Sequence, residues 1–430
     1  MRILRLFNLS LPLLALFSWA DARAQNTPPD RVTIDQAVHE AVEKNLGLLA
    51  ERYNLTIAEA RIVTARLRPN PVLSVEGDHL DLLGTGYNKI NNAGPSEYSI
   101  RTDFLWERGG KRRSRVEVAE QARAVAQLQL LNATRTLVLD VQNAFVEVLL
   151  AKAILALAQE NQAAFKRTVQ VNTERVRAGD LSQVELTRTK LAELQFNNAV
   201  LQAQAKLRIA RQRLQFLIGR PVPSESFDVV GELRREPLPF SLDELQRQAL
   251  GRRPDYLALE RDQARSIAEV RAQIAQGKVD YTIGAEWRRQ DGLAGRGNSL
   301  GIFFSVPLPV FNRNQGEIER ARQEQRQIEA RLRALEAEIR NQIAASWQQY
   351  DTARALLAQI EADMLKQAQQ VLQTMEYSYR AGQASFVEFL DARRAFNETM
   401  QSYNEARAEY ARSLYLIDST IGKDIPSVGQ

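Results

Sequence analysis

The sequence predicts an α+β chain of two tandem units, each a long helical hairpin joined to two amphipathic strands of membrane-crossing length. Three observations predict it. RVRAGDLSQVEL at 175–186 recurs 203 residues later as SYRAGQASFVEF at 378–389. Proline is absent between Pro95 and Pro221 and again between Pro309 and Pro426, which leaves two spans free to form very long helices. Ahead of each span the apolar residues change from helical spacing to alternation with period two.

Residues 1–24 have the form of a signal peptide, with Arg2 and Arg5 ahead of the apolar run LFNLSLPLLALFSWA and a small-x-small cleavage site at Ala22-Arg23-Ala24. Export is therefore expected. Losing Arg2, Arg5, Arg23 and Asp21 lowers the formal charge from +5 to +3, too mild to support a nucleic-acid partner. The absence of cysteine excludes disulfides, thiolate metal sites, a cysteine nucleophile and a lipid-modified cysteine. No later stretch of about 18 consecutive apolar residues is present, so a transmembrane helix is not expected. A soluble periplasmic protein, a secreted one and an outer-membrane β-barrel all remain open.

The first unit spans 25–219 and the second 241–422, joined by the proline-bearing linker 220–240 and followed by a tail at 423–430. TIDQAVHEAVEKNLGLLA at 33 answers to SLDELQRQALGRRPDYLA at 241, and TIAEAR at 56 to SIAEVR at 266; these open the units as short helices. Strands follow. In the first unit Val72–Glu76 precedes a run with Tyr98, Ile100, Phe104 and Trp106 on one face and Ser99, Arg101 and Asp103 on the other. In the second, Tyr281, Ile283, Ala285 and Trp287 oppose Thr282, Gly284, Glu286 and Arg288, and Leu300, Ile302, Phe304 and Val306 oppose Ser299, Gly301 and Ser305. Strands of this length, with the aromatics Tyr98, Trp106, Tyr281 and Trp287 at their ends, suit a membrane barrel. Four strands cannot close one. An open edge in lipid would leave backbone groups unpaired, so strands from other subunits must complete it. The segments 80–97 and 289–298 then become outer loops.

Within 111–218 the sole glycine is Gly179, and within 317–421 it is Gly382. Each cuts its span into a longer and a shorter helix: Lys111 to Ala178, roughly 100 Å, before Asp180 to Ile218, and Glu317 to Ala381 before Gln383 to Ile421. The steps Ile328, Leu332, Leu335, Ile339 and Ala353, Leu357, Ile360, Met364 approach a heptad, so helices pack side by side as coiled coils. Both glycine turns lie at the same end, farthest from the strands. Glycine suits a tight reversal that needs positive φ, and Ser182 and Ser385 are placed to cap the returning helices.

The tandem units, the strand pairs, the unequal helix pairs and the two RAG turns together resemble the TolC-type outer-membrane efflux proteins, over essentially the whole mature chain. WERGGKRRSRVEVAE at 106–120 and VPLPVFNRNQGEIERA at 306–321 are similar to the branch serving heavy-metal resistance pumps of the cobalt-zinc-cadmium kind. The resemblance implies a homotrimer in which twelve strands form one outer-membrane barrel, continued by a helical periplasmic tunnel. It further implies a passive duct that docks on a periplasmic adaptor, or membrane fusion protein, and an inner-membrane transporter of the RND type. Drugs or secreted polypeptides remain alternative cargo, and a periplasmic coiled-coil scaffold is the competing reading of the helices.

By the same resemblance the turn residues Arg177, Ala178, Gly179, Leu181, Ser182, Arg380, Ala381, Gly382 and Ser385 form the adaptor-docking tip. Capping alone explains the glycines and serines; the recurrence of Arg177 as Arg380 and of Val184 as Val387 favours docking. Glu388 and Asp391, three apart on one helix face, match acidic residues that line the closed constriction in the family, as does Glu185. A carboxylate ring favours cations, whereas a solvated acidic face is the plainer alternative. Tyr379 matches a tyrosine that helps lock the closed tip, but Ala384 stands where well-known members carry arginine, so the lock must differ. His39 and His79 are the only histidines and sit in no metal-ligand spacing. GTGYNK at 84 lacks the ending of a phosphate loop. The basic run RGGKRRSR at 108–115 falls at a strand-to-helix junction, where a structural role is expected. No catalytic constellation is present, so neither an enzyme nor a cofactor is expected.

Overall fold

The structure is a computed structural model and describes residues 30–80, 82, 84, 96–292, 295–423 and 425–426. The expected signal peptide, most of the first outer loop including nearly all of GTGYNK, and the end of the tail lie outside the described residues.

Helix pairs open each half. α1 (Ile34–Lys44) starts at Thr33, whose side chain accepts from the Gln36 amide while the Gln36 side chain accepts from the Thr33 amide; this capping box satisfies two amides that the first turn leaves free. α2 (Leu46–Arg66) follows. Their counterparts are α5 (Leu242–Arg252) and α6 (Pro254–Gln276). A short parallel pair, β1 (Asp30–Val32) with β4 (Phe227–Val229), links the segment before α1 to the linker between the halves; nothing in the period-two signal marked these three-residue strands.

The main sheet has four antiparallel strands in the order β2 (Val72–Asp78), β3 (Glu97–Trp106), β5 (Tyr281–Gly292), β6 (Gly295–Ser305). The registers align Val75, Ile100, Trp287 and Leu300 in one row, Leu73, Thr102, Ala285 and Ile302 in another, and Phe104, Ile283 and Phe304 in a third. Across these rows one face is apolar apart from Thr102, and Leu300 and Ile302 are 86% and 87% exposed on it. The opposite face carries Ser99, Arg101, Glu286 and Arg288, tied by Arg288–Glu286 at 2.9 Å, Arg288–Glu97 at 3.0 Å and Arg101–Asp103 at 2.9 Å. Two expectations change here. The segment 289–298 is strand over most of its length, not loop, because β5 and β6 continue to Gly292 and Gly295. Trp287 consequently sits in mid-strand, while Tyr98, Trp106 and Tyr281 keep terminal places.

The basic run is structural. Gly109 and Gly110 both have positive φ, and Lys111 turns inward to meet Asp280 at 2.6 Å. Arg115 grips Glu107 with both of its terminal nitrogens, and Arg108 lies over the Tyr281 ring at 4.3 Å. These contacts fix where the strands hand over to the long helices.

α3 (Lys111–Arg177) and α4 (Gln183–Leu217) form one hairpin; α7 (Gln315–Gln359), a π-helical turn at Ile360–Met364, α8 (Leu365–Arg380) and α9 (Phe386–Thr420) form the other. α3 carries a window apolar enough by length and composition to cross a membrane, although it holds no run of 18 consecutive apolar residues. That stretch is covered by neighbours on two sides, with Val141, Phe145 and Val148 packed on Leu214 and Phe227, and Val146 and Leu150 on Ala408 and Ala411. A matching core in the second half joins Leu245, Tyr350, Leu414 and Ile417.

The π turn corrects the heptad reading. Ile339, Ile343, Ser346, Tyr350, Ala353, Leu357 and Ile360 are buried at steps of four and three, but Met364 is 41% exposed and the buried side resumes at Leu365. One extra residue is absorbed there. Accordingly Val141, Ala144, Phe145, Val148 and Ala151 correspond to Ile343, Ser346, Trp347, Tyr350 and Ala353 at a spacing of 202, whereas the tip glycines are 203 apart.

Candidate functional site at the helical tip

Two turns of the same construction close the hairpins. At the first, the Gly179 amide donates to the Val176 carbonyl at 3.1 Å and the Asp180 amide to Arg175 at 2.8 Å; at the second, Gly382 donates to Tyr379 at 3.1 Å and Gln383 to Ser378 at 2.8 Å. This paired pattern ends a helix with a left-handed residue, and the φ values are +86° and +75°. Around Gly179 nothing lies within 4 Å of where a Cβ would stand, and around Gly382 only an Arg175 guanidinium nitrogen at 3.9 Å. The other glycine ending the first hairpin is unlike them: a Cβ on Gly219 would stand 2.4 Å from the Lys44 carbonyl oxygen. The tip glycines are therefore required for their backbone angle alone, and their own chain leaves them uncovered.

Ser182 accepts from the Glu185 amide at 3.2 Å and Ser385 from the Glu388 amide at 3.3 Å. Only the second becomes a full capping box, as the Glu388 carboxylate accepts from the Ser385 amide at 2.7 Å and hydroxyl at 2.9 Å. Those donors, amide first, hold the Glu388 carboxyl below its ordinary range. Arg177 pairs with Glu174 at 2.7 Å, and Arg380 pairs with Glu376 one turn back. Arg177, Ala178, Gly179, Ser182, Arg380, Ala381, Gly382 and Ser385 are exposed, and Leu181 is half-buried.

The four constriction candidates divide. Glu388 and Asp391 are exposed on one face of α9, and Glu185 is half-buried on α4. Tyr379 is 6% exposed and lies within the packing of the two hairpins. Its hydroxyl accepts from the Asn172 side-chain amide at 2.7 Å, which also donates to Thr189 at 2.9 Å. The Tyr379 ring stacks on Phe389 at 5.2 Å, and Phe165 and Phe386 complete an aromatic cluster across the hairpins. Burial pushes the tyrosine hydroxyl up from its ordinary value.

Asn172 and Thr189 were missed in the sequence, although a signal existed. Phe165 and Asn172 are seven apart, so a polar residue occupies a buried position of the stripe. Arg393 was also missed; it is 8% exposed, and its nearest carboxylate, on Glu376, is 3.7 Å away. Among the described residues no group of three or more His, Cys, Asp or Glu gathers as a metal site. His39 is exposed beside Glu43 at 3.2 Å, and His79 is exposed next to Asp78.

The profile of the family described as "Outer membrane efflux protein" matches residues 37–220 and 245–423. The cobalt-zinc-cadmium resistance protein CzcC of Cupriavidus metallidurans is 27% identical over 395 residues, covering 91% of this chain and 90% of that protein. The solved CusC structure superposes with a TM-score of 0.75 at 18% identity, covering 97% of this chain and 99% of that one. The open-state MtrE channel of Neisseria gonorrhoeae gives 0.70 at 19% identity, covering 93% and 90%. At such identities the two structures speak for the fold.

Proposed function

The chain belongs to the outer membrane efflux protein family, and from that premise we propose that it is the outer-membrane duct of a three-part efflux system for heavy-metal cations. The observation that supports this most directly is the main sheet: four strands with one apolar face and with β2 and β6 left as open edges. In lipid those edges must be paired, because each unsatisfied backbone group there costs several kcal/mol. Three copies close a barrel of twelve strands, and their hairpins continue it as a tunnel on the periplasmic side. Two tandem units per chain supply the pseudo-sixfold wall.

Heavy-metal cargo is favoured by the similarity to a cobalt-zinc-cadmium resistance protein over nine tenths of both chains. The duct is passive and is not an enzyme. The transporter that drives export is of the RND type in the inner membrane, and a periplasmic adaptor joins the two at the tip turns. Uncovered glycines with exposed Arg177 and Arg380 beside them offer that adaptor a surface, while rings of Glu388 and Asp391, with Glu185 near them, favour cations at the constriction. The leader at 1–24 directs export, and insertion of the barrel holds the protein in the outer membrane without a lipid anchor.

Detergent extraction of the outer-membrane fraction, followed by native mass measurement and planar-bilayer recording, tests this. Heat-dissociable trimers with a stable conductance are expected. A water-soluble monomer without conductance would instead support a periplasmic scaffold.

A further inference from the structure

The segment leaving β6, Pro307 to Phe311, is the most exposed apolar stretch outside the strands among the described residues: Leu308 is 81%, Val310 63% and Phe311 91% exposed. Pro307 and Pro309 lack backbone donors, and the Val310 amide is used on the Leu308 carbonyl at 2.9 Å, so the segment cannot add a full ladder to any sheet. Three apolar side chains within four residues left in water are costly, at about 25 cal/mol per Å² of surface. Something covers them.

A receiving surface exists at the other side of the same sheet. Where the chain enters β2, Pro69, Asn70 and Pro71 together with Phe104, Trp106 and Ile283 line a groove of about 680 Å³ at the strand-to-helix junction. Within one chain this groove and Phe311 belong to opposite edges, since β2 and β6 are the outermost strands. The groove lies chiefly on the β2 and β3 side and touches β5 only at Ile283.

We infer that Pro307–Phe311 of one copy packs into the Pro69–Trp106 groove of the next, as an apolar clasp at the periplasmic rim of the barrel. The inference rests on the trimeric barrel proposed above. Closing that barrel joins β6 of one copy to β2 of the next in antiparallel fashion, as every other pairing in the main sheet is antiparallel. The helix-side end of β6 and the helix-side start of β2 then meet at one seam. Pro307–Phe311 follows the former and Arg68–Pro71 precedes the latter, so continuity of the seam brings the uncovered apolar segment to the open groove. The groove is incomplete without the neighbour. Ion pairs within the chain, Lys111–Asp280 and Arg115–Glu107, brace the junction after β3 beside the groove, and Asn314 braces the junction after β6 by donating to Gln273 at 2.8 Å, so both partners of the clasp are held in place.

The chain has no cysteine, so paired cysteine substitutions report proximity without background. Full-length protein carrying Phe311→Cys and Asn70→Cys, purified from the outer membrane in detergent, is treated with a short bismaleimide and run under denaturing conditions, beside both single variants and a native mass measurement on each. Covalent dimers and trimers from the double variant alone are expected. A native trimer without those bands would overturn the clasp and leave the barrel standing; absence of a trimer in the wild-type protein would remove the barrel reading itself. A second variant, Phe311→Ser, is expected to lower the temperature at which the trimer dissociates. If Phe311→Cys in the native trimer instead reacts fully with a bilayer-confined maleimide lipid, the segment lies against lipid and the clasp is wrong.

Discussion

Tyr379 on α8 accepts a 2.7 Å hydrogen bond from Asn172 on α3, so a single buried contact ties together the two hairpins a few residues from both tip turns. Removing the hydroxyl with Tyr379→Phe leaves the Asn172 amide with Thr189 alone. The cost should be about 1 kcal/mol, as for a typical buried hydrogen bond. Hydrogen exchange at the ends of α3 and α8 should quicken about fivefold, while the sheet amides stay unchanged.

The glycines separate by position. Gly179→Ala meets open space and bears only the left-handed backbone penalty, about 1–2 kcal/mol, whereas Gly219→Ala sets a methyl group against the Lys44 carbonyl. Trimer yield should hold for the first and collapse for the second. Bulky residues at both Gly179 and Gly382 should abolish efflux with trimers intact, because the surface they obstruct is the docking surface; loss of trimers would make the turns purely structural.

Alanine at Glu388 and Asp391 should weaken block of bilayer conductance by divalent and trivalent cations. The Glu388 carboxyl is held below its ordinary value by the Ser385 amide and hydroxyl. A depressed carboxyl keeps its charge, and the capping box its contribution, above the ordinary glutamate range, and loses both only as pH falls through the lowered value. Cation block should therefore persist on acidification past the point where a free glutamate would be half-protonated. Ser385→Ala should move the loss of block to higher pH.

The π turn gives an asymmetric prediction for deletions. Removing Ala362 should convert Ile360–Met364 to ordinary helix with the buried stripe still aligned on both sides, and folding should survive. Removing one residue at the corresponding level of α3, near Leu157, would rotate its lower half by about 100° and unseat Phe165 and Asn172. Limited proteolysis near the tips distinguishes the two.

Proline spacing and the repeated RAG turns made the long helices, their reversal and the serine caps readable from sequence, since each depends on a local backbone rule. Alternation exposed the four strands for the same reason. Strand ends were less legible: Gln290–Gly292 and Gly295–Gly297 are polar or glycine-rich, and the register that extends β5 and β6 comes from cross-strand pairing. Met364 misled because an inserted residue looks like continued heptad spacing until burial shows where the stripe moves. Asn172, Thr189 and Arg393 act through contacts across the hairpins, Asn172–Thr189 and Arg393–Glu376 spanning a turn and Asn172–Tyr379 joining residues 207 apart, and no local pattern states those partners.

Growth of a strain lacking this protein, across salts of zinc, cobalt, cadmium, nickel, copper and silver beside dyes and antibiotics, separates export of heavy-metal cations from export of other cargo. Sensitivity to a subset of the metals is expected, restored by the wild-type chain and not by a variant with bulky residues at Gly179 and Gly382. Unchanged tolerance of every metal, with sensitivity to dyes and antibiotics alone, would contradict the assignment of heavy-metal cargo.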